Sequence, residues 1–405
     1  MIGETVDDVL LDISYETAFQ QPPWADTTRL RQVREELAGL PPLVAAEDVD
    51  TLHGLLARVA AGEAQVMQAG DCAEDTAEST ADHVARKAGL LNMLAGALEM
   101  ESGRPVVRVG RIAGQYAKPR SQPFETVGGL ELPSYRGHMV NSPLPDPVLR
   151  VPDPDRILTA YRAAAAVMGH LDRHGPRGTA PIGAPVWTSH EALLLDYEIP
   201  LVRRNTAGRP LLTSTHWPWI GERTRQVDGA HVTLLAQVAN PVACKVGPTM
   251  TADELLALCE RLDPARTPGR LTLIARMGAD AVVARLPGLV EAVRAAGHPV
   301  IWLSDPMHGN TVTAPGGLKT RLVRTVTQEI ERFQTAVVTA GGVPGGLHLE
   351  TTPDDVSECV TDESALDTVG SDYTSFCDPR LNPAQALAAV GAWWVSRQAA
   401  PAVAA

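Results

Sequence analysis

Cys72, His308, Glu350 and Asp378 are residues whose types could do chemistry together. A thiolate, an imidazole and two carboxylates make a mixed S, N and O donor set. With open positions, such a set suits a divalent transition ion acting as a Lewis acid. Taken singly, each has a plainer reading: an isolated cysteine is more often a small buried hydrophobe than a ligand, and a strand-end His or Glu ordinarily bonds its own loop. Asp71 and Asp305 crowd the same stretches of sequence and favour the metal. A second set is cationic: Arg111, Lys118, Arg120, Arg223, Lys245 and Arg276, in a chain whose net charge is −13. Guanidinium groups bind carboxylate and phosphate through paired hydrogen bonds, and lysine supplies a point charge. Gathered at one end of a fold, these cations would repel one another unless an anion joined them. The pattern therefore points to one or two substrates carrying phosphate and carboxylate groups. For Arg203, Arg204 and Arg225, a solvated surface charge is an equal reading.

The elements that must position these residues are short apolar runs of strand type. They end as VMQAGDC at Cys72, VVRVGR at Arg111, VWTSHE at His190 and Glu191, LLTSTH at His216, VACK at Lys245, LTLIAR at Arg276, VIWLSDPMH at His308 and LHLE at Glu350. Helix-like segments separate them. Alternating β and α units build a parallel sheet, and eight can close into a barrel whose site lies where the strands end. The expected fold is α/β, a (β/α)8 TIM barrel over 61–405 with an N-terminal helical extension over 1–60. Because the first and last strands of a closed barrel are neighbours, Cys72 and Glu350 can meet despite their separation in sequence.

The rest of the chain fits this plan. A helix capped by Asp26 or Thr27 runs through LRQVREELAGL to Pro41, and DVDTLHGLLARVAAG forms a second. Leu90, Leu91, Leu94 and Leu98 mark a return helix at helical spacing. The segment GQYAKPRSQPFETVGGLELPSYRGHMVNSPLPDP is rich in Gly and Pro and reads as one long functional loop. A helix over Asp153 to His174 follows it, and Thr251 with Glu254 predicts a capping box. Further helices are expected over GADAVVARLPGLVEAVRAAG, LKTRLVRTVTQEIERFQ and NPAQALAAVGAWWVSRQ. GGVPGG at 341–346 has neither the GxGxxG nor the P-loop pattern. Trp217, Trp219 and Trp302 read first as core.

Composition excludes several classes. The acidic balance argues against general nucleic-acid binding, which needs excess Lys and Arg. No apolar run approaches the roughly 20 residues that cross a bilayer, and the first residues, MIGETVDDVLLDISYE, are acidic where a signal peptide is basic. A cytoplasmic protein is expected. Five widely spaced cysteines do not read as a disulfide scaffold.

Read together, QAGDCAE, GRIAGQYAKPRS, SYRG, TSHEALLLDYE, WIGERTRQVDGAH, NPVACKVGP, RLTLIARMG, DPMHGNT, GGLHLE and CDPRLN resemble the class II 3-deoxy-D-arabino-heptulosonate 7-phosphate (DAHP) synthases over roughly residues 15–395. The resemblance implies a (β/α)8 barrel that condenses phosphoenolpyruvate with erythrose 4-phosphate and releases phosphate. It implies a divalent metal, Mn2+ or Co2+, on Cys72, His308, Glu350 and Asp378. Phosphoenolpyruvate would be held by Arg111, Glu222, Arg223, Lys245 and Arg276, and the sugar phosphate by Lys118, Arg120 and Ser121. Glu222 would position or deprotonate the attacking water and Lys245 would move a proton. A homo-oligomer is expected, to which Trp393 and Trp394 could contribute.

The chain departs from the family pattern at His138, where an Asp is usual, in ECVTDES, which lacks a Gly pair, and in APGGLKTR, where a serine is usual. It is also short. A single helix and the link GPRGTAPIGAP stand where longer members insert a helix pair implicated in aromatic amino acid feedback. The short form is associated with secondary metabolism such as phenazine formation, and weak or absent inhibition by Phe, Tyr or Trp follows. Cys377 adjoins Asp378, so a reversible bond to Cys72 is conceivable when metal is absent. Two alternatives stand beside the DAHP synthase reading: an aminoDAHP synthase using an aminated sugar phosphate, which the motifs do not separate from it, and a barrel that has lost catalysis and serves as a regulatory partner, which the retained metal and cation sets disfavour.

Overall fold

The computed structural model of the chain describes residues 13–171 and 185–394. Most of the GPRGTAPIGAP link lies outside them. Eight parallel strands form the central sheet: Gln65–Gly70, Val106–Arg111, Trp187–Glu191, Trp217–Ile220, Val242–Val246, Leu271–Ala275, Ile301–Ser304 and Pro344–Glu350. They hydrogen-bond in sequence order, and the last pairs with the first, so the sheet closes into the expected (β/α)8 barrel. Their residues are buried almost throughout, as in a parallel sheet covered on both faces.

Contacts divide the chain into two compact units. One comprises Met1–Leu52, Ala73–Ala85 and Arg111–Cys244; the other comprises His53–Cys72, Arg86–Gly110 and Lys245–Ala405.

In the second unit the first and eighth strands pair from Val66↔Gly346 to Gly70↔Glu350. That register carries the chain from Gly70 to Cys72 beside Glu350. The pairing requires glycine at 346, where φ is +139° and a Cβ would lie 2.0 Å from the Val66 carbonyl oxygen. Three outer helices pack in this unit: α7 (Ala252–Leu262), α8 (Val282–Ala295) and α9 (Val323–Thr339). The predicted capping box of Thr251 and Glu254 starts α7. Along α9, Val326, Ile330, Phe333 and Val337 recur at helical spacing and are buried. Glu329 lies on the same buried face, an exception to that apolar pattern.

In the first unit, α1 (Thr27–Ala38) is capped by Asp26, whose side chain accepts from the Arg29 N–H, and α4 (Asp155–Leu171) buries nine side chains. The third and fourth strands pair from Ser189↔Trp217 to Glu191↔Trp219.

Three local expectations change. LLTSTH is not the fourth barrel strand: Pro210–Leu212 pairs antiparallel with Val202–Arg204, and the Asn240 and Leu201 polar groups hold the stretch after it. The barrel strand is the next four residues, Trp217–Ile220, whose internal proline argued against a strand. The long Gly/Pro segment is not without regular structure. Phe124–Val127 and Leu130–Pro133 form a hairpin whose turn, Gly128-Gly129, has positive φ at both positions, as a type I′ turn demands. Finally, LKTR does not open a helix, because Lys319–Arg321 pairs antiparallel with Thr311–Thr313 and α9 begins at Val323.

Candidate active site

At the end of the first and eighth strands, the ligand atoms of Cys72, Glu350 and Asp378 all lie within 4.8 Å of one another. An ion about 2.0–2.3 Å from each of two ligands spans at most roughly 4.6 Å between them, so the bound on the cluster is within a few tenths of an ångström of coordination size. His308 joins through its Nε2, 3.2 Å from Glu350 Oε1. Its Nδ1 meets Asp305 Oδ2 at 2.8 Å, which turns Nε2 toward the cluster in the carboxylate–histidine arrangement usual for metal ligands.

Each carboxylate of the cluster is divided between two tasks. Glu350 Oε2 is 2.8 Å from the buried Arg321 guanidinium, leaving Oε1 on the His308 side. Asp378 Oδ1 is 2.8 Å from Lys319 Nζ, while Oδ2 is 3.7 Å from Cys72 Sγ. One oxygen of each thus faces the cluster and the other is neutralised by a cation. A thiol, an imidazole nitrogen and two single carboxylate oxygens fit a divalent transition ion. Among the described residues no cysteine is in a disulfide.

Asp378 lies on a loop, and a buried network fixes that loop. Glu358 accepts the backbone N–H groups of Thr374, Ser375 and Arg380 at 3.0, 2.7 and 2.7 Å, and also binds the Arg380 guanidinium. Arg380 reaches Asp71, the neighbour of Cys72, at 2.8 Å, and Lys87 meets the other oxygen of Asp71 at 2.7 Å. Burial pushes the Asp71 carboxyl up, but Lys87 and Arg380 outweigh it and hold it below its ordinary value.

The same unit contains Lys245 and Arg276. Lys245 Nζ is 2.5 Å from Asp305 Oδ2, so one carboxylate links the lysine to His308. Burial acts to raise the Asp305 carboxyl, yet His308 and Lys245 hold it well below the carboxylate range. Arg276 donates to the His308 carbonyl oxygen at 2.9 Å.

The remaining predicted residues belong to the first unit. Arg111 ends the second strand, buried, with its guanidinium 5.2 Å over the Trp219 ring. The corrected fourth strand puts Glu222 and Arg223 two and three residues past its last residue, Ile220, where WIGER leaves the sheet. Glu222 is paired with Arg225, and the exposed Arg223 donates to Ser121 Oγ at 2.7 Å. Lys118 is buried, and Arg120 is tied to Glu125, which Arg150 also holds. Thus Arg223 and Ser121 meet, whereas the Arg120 side chain turns to its own hairpin.

Two strand-end histidines serve the core. His190 Nε2 is 2.9 Å from Glu198, whose other oxygen accepts from Ser214. His216 precedes the fourth strand rather than ending it; its Nδ1 is 2.8 Å from Thr188 Oγ1. His138 meets Tyr135 Oη at 2.6 Å. The residues that sequence reasoning gave no role, Arg321, Arg380 and Glu358, are charged groups buried around the cluster; their polar flanks were the only signal.

The chain matches the model of the Class-II DAHP synthetase family over residues 12–184 and 182–392. It belongs to that family. It is 60% identical over 391 residues, 96% of this chain and 97% of the other, to a probable phospho-2-dehydro-3-deoxyheptonate aldolase of Pseudomonas fluorescens. It is 43% identical over 418 residues, 91% of this chain and 93% of the other, to the phospho-2-dehydro-3-deoxyheptonate aldolase of Streptomyces coelicolor. The solved structure of phospho-2-dehydro-3-deoxyheptonate aldolase from Francisella tularensis SCHU S4 superposes with a TM-score of 0.54 at 13% identity, covering 91% of this chain and 97% of that one, and agrees in fold. The protein is therefore a DAHP synthase, a transferase, and class II DAHP synthases are metal-dependent. Among the described residues no helix is long and apolar enough to cross a membrane.

Proposed function

We propose that this enzyme condenses phosphoenolpyruvate with erythrose 4-phosphate to give DAHP and inorganic phosphate. The observation that carries the reading is the cluster of Cys72, Glu350 and Asp378 with His308 beside it, linked by Asp305 to Lys245. A manganese or cobalt ion on those four side chains would polarise the aldehyde of the sugar phosphate.

The chain's own residues do the rest. Arg111, Arg223 and Arg276 hold the phosphate and carboxylate of phosphoenolpyruvate through paired hydrogen bonds. Lys118, Arg120 and Ser121 hold the phosphate of erythrose 4-phosphate. C3 of phosphoenolpyruvate bonds to the aldehyde carbon, and water adds at C2. Glu222 takes the proton from that water, and Lys245, its charge set against Asp305, delivers or accepts a proton. The phosphate hemiketal then collapses with loss of phosphate, whose departing charge Arg223 and Arg276 stabilise.

We read the chain as a cytoplasmic homo-oligomer of the short form, serving a secondary pathway of the phenazine type. Two features support the short form. The family match breaks at 182–184, within the GPRGTAPIGAP link. The 418-residue alignment with the Streptomyces enzyme exceeds the 405 residues of this chain, so it must open gaps here. The decisive experiment measures phosphate release from phosphoenolpyruvate with erythrose 4-phosphate and with its amino analogue, under added manganese or cobalt. Turnover with erythrose 4-phosphate is expected; a preference for the amino analogue, or no turnover with either, overturns the reading.

A further inference from the structure

Glu329 is a carboxylate on the buried face of α9, among Val326, Ile330 and Phe333, and is 1% exposed. A buried carboxyl costs free energy unless its oxygens are bonded, and an apolar side chain would pack this face without that cost. Both oxygens are used. Oε1 accepts the N–H groups of Met277 and Gly278 at 3.1 and 2.9 Å, in the loop after the sixth strand. Oε2 accepts from Asn310 Nδ2 at 2.5 Å, in the loop after the seventh.

Asn310 completes the link. Its Oδ1 accepts the Ala279 N–H at 3.0 Å, and its Nδ2 also reaches the Pro306 carbonyl at 2.7 Å. The two loops touch backbone to backbone, since a Cβ at Gly309 would lie 2.3 Å from the Gly278 nitrogen. Arg276 then crosses from one loop to the other to donate to the His308 carbonyl. Burial, opposed by the Asn310 contact and reinforced by Asp305, pushes the Glu329 carboxyl up to about 8. The fold keeps the group despite that strain.

We propose that Glu329 and Asn310 form a positioning clamp that sets Arg276 and His308 in one register, so that the phosphoenolpyruvate-binding guanidinium and the metal-binding imidazole are placed as a unit. This rests on the reading of Arg276 as a phosphoenolpyruvate ligand and His308 as a metal ligand. Neither clamp residue is among the proposed substrate or metal ligands. The clamp predicts that two constants, usually independent, move together when it is loosened.

The test uses the full chain, stripped of metal and titrated with Mn2+, with the KM for phosphoenolpyruvate measured alongside. Glu329→Gln and Asn310→Ala are each expected to weaken manganese affinity and to raise the phosphoenolpyruvate KM, both by about tenfold or more, while the KM for erythrose 4-phosphate stays near wild type. A folded variant in which either constant is unchanged overturns the clamp. Failure of both variants to fold also rejects it, because the pair is then structural. Arg276→Ala and His308→Ala are the controls. If they leave the phosphoenolpyruvate KM and the manganese affinity unchanged, the underlying site reading fails; if they move those constants and Glu329→Gln does not, the clamp alone fails.

Discussion

The metal cluster and the KPRS segment are held by opposite means. Around Cys72, Glu350 and Asp378 most supports are buried: Arg321 and Asp305 are 0% exposed, and Glu358 gathers the Asp378 loop from within the protein, with Lys319 on Asp378 the exposed exception. In the KPRS segment only Lys118 is buried; Ser121 is exposed, and Arg120 is engaged by Glu125 on the adjoining hairpin. Buried supports fix geometry before a ligand arrives, and exposed charge pairs contribute little until an anion replaces them. On the proposed assignment the metal side is pre-organised, and the KPRS segment would be ordered by the sugar phosphate it is proposed to hold.

The largest effect should follow from removing a donor. Cys72→Ala is expected to cost several kcal/mol of metal-derived stabilisation, about 10²–10³-fold in turnover, measured with saturating substrates and added Mn2+. Loosening a buried support should cost less: Glu358→Gln leaves every donor in place, and manganese affinity should fall about 10–100-fold by direct titration.

On the exposed side Ser121→Ala removes one neutral hydrogen-bonding group, so the KM for erythrose 4-phosphate should rise about 2–10-fold with metal affinity unchanged. A loss as large as that of Glu358→Gln would break the contrast. The smallest effect concerns pH. Burial raises the Glu125 carboxyl, but Arg150, the Tyr135 N–H and Arg120 bring it below its ordinary 4.5. A lowered carboxyl gives its stabilisation above the unfolded value and loses it as pH falls through the folded one. Glu125→Gln should therefore flatten the acid limb of hairpin stability, followed by limited proteolysis between about pH 5 and 3.

The barrel was legible because seven of its eight strands are apolar runs ending in a chemically distinctive residue. The fourth was hidden by Pro218, and a polar-ended run just before it drew the assignment to His216. The hairpin at 124–133 carried its signal in Gly128-Gly129 between two short alternating runs, a signal outweighed by the surrounding prolines. The proposed metal donors Cys72, His308 and Glu350 stand out in the sequence by type and strand-end position, and Asp378 by type alone. Their supports do not, because nothing in one sequence distinguishes Glu358, buried on its loop, or Glu329, buried on its helix, from the many carboxylates that face water. The register of the first and eighth strands sets only Gly70 opposite Glu350, bringing the strand ends that carry Cys72 and Glu350 together.

The most direct test of the account is whether Cys72 binds the metal. Metal-stripped protein titrated with Co2+ should develop a thiolate-to-cobalt charge-transfer band in the near ultraviolet, saturating at one ion per chain, and Cys72→Ser should lack the band. An undiminished band in Cys72→Ser, or none in the wild type under conditions where cobalt supports turnover, would contradict it.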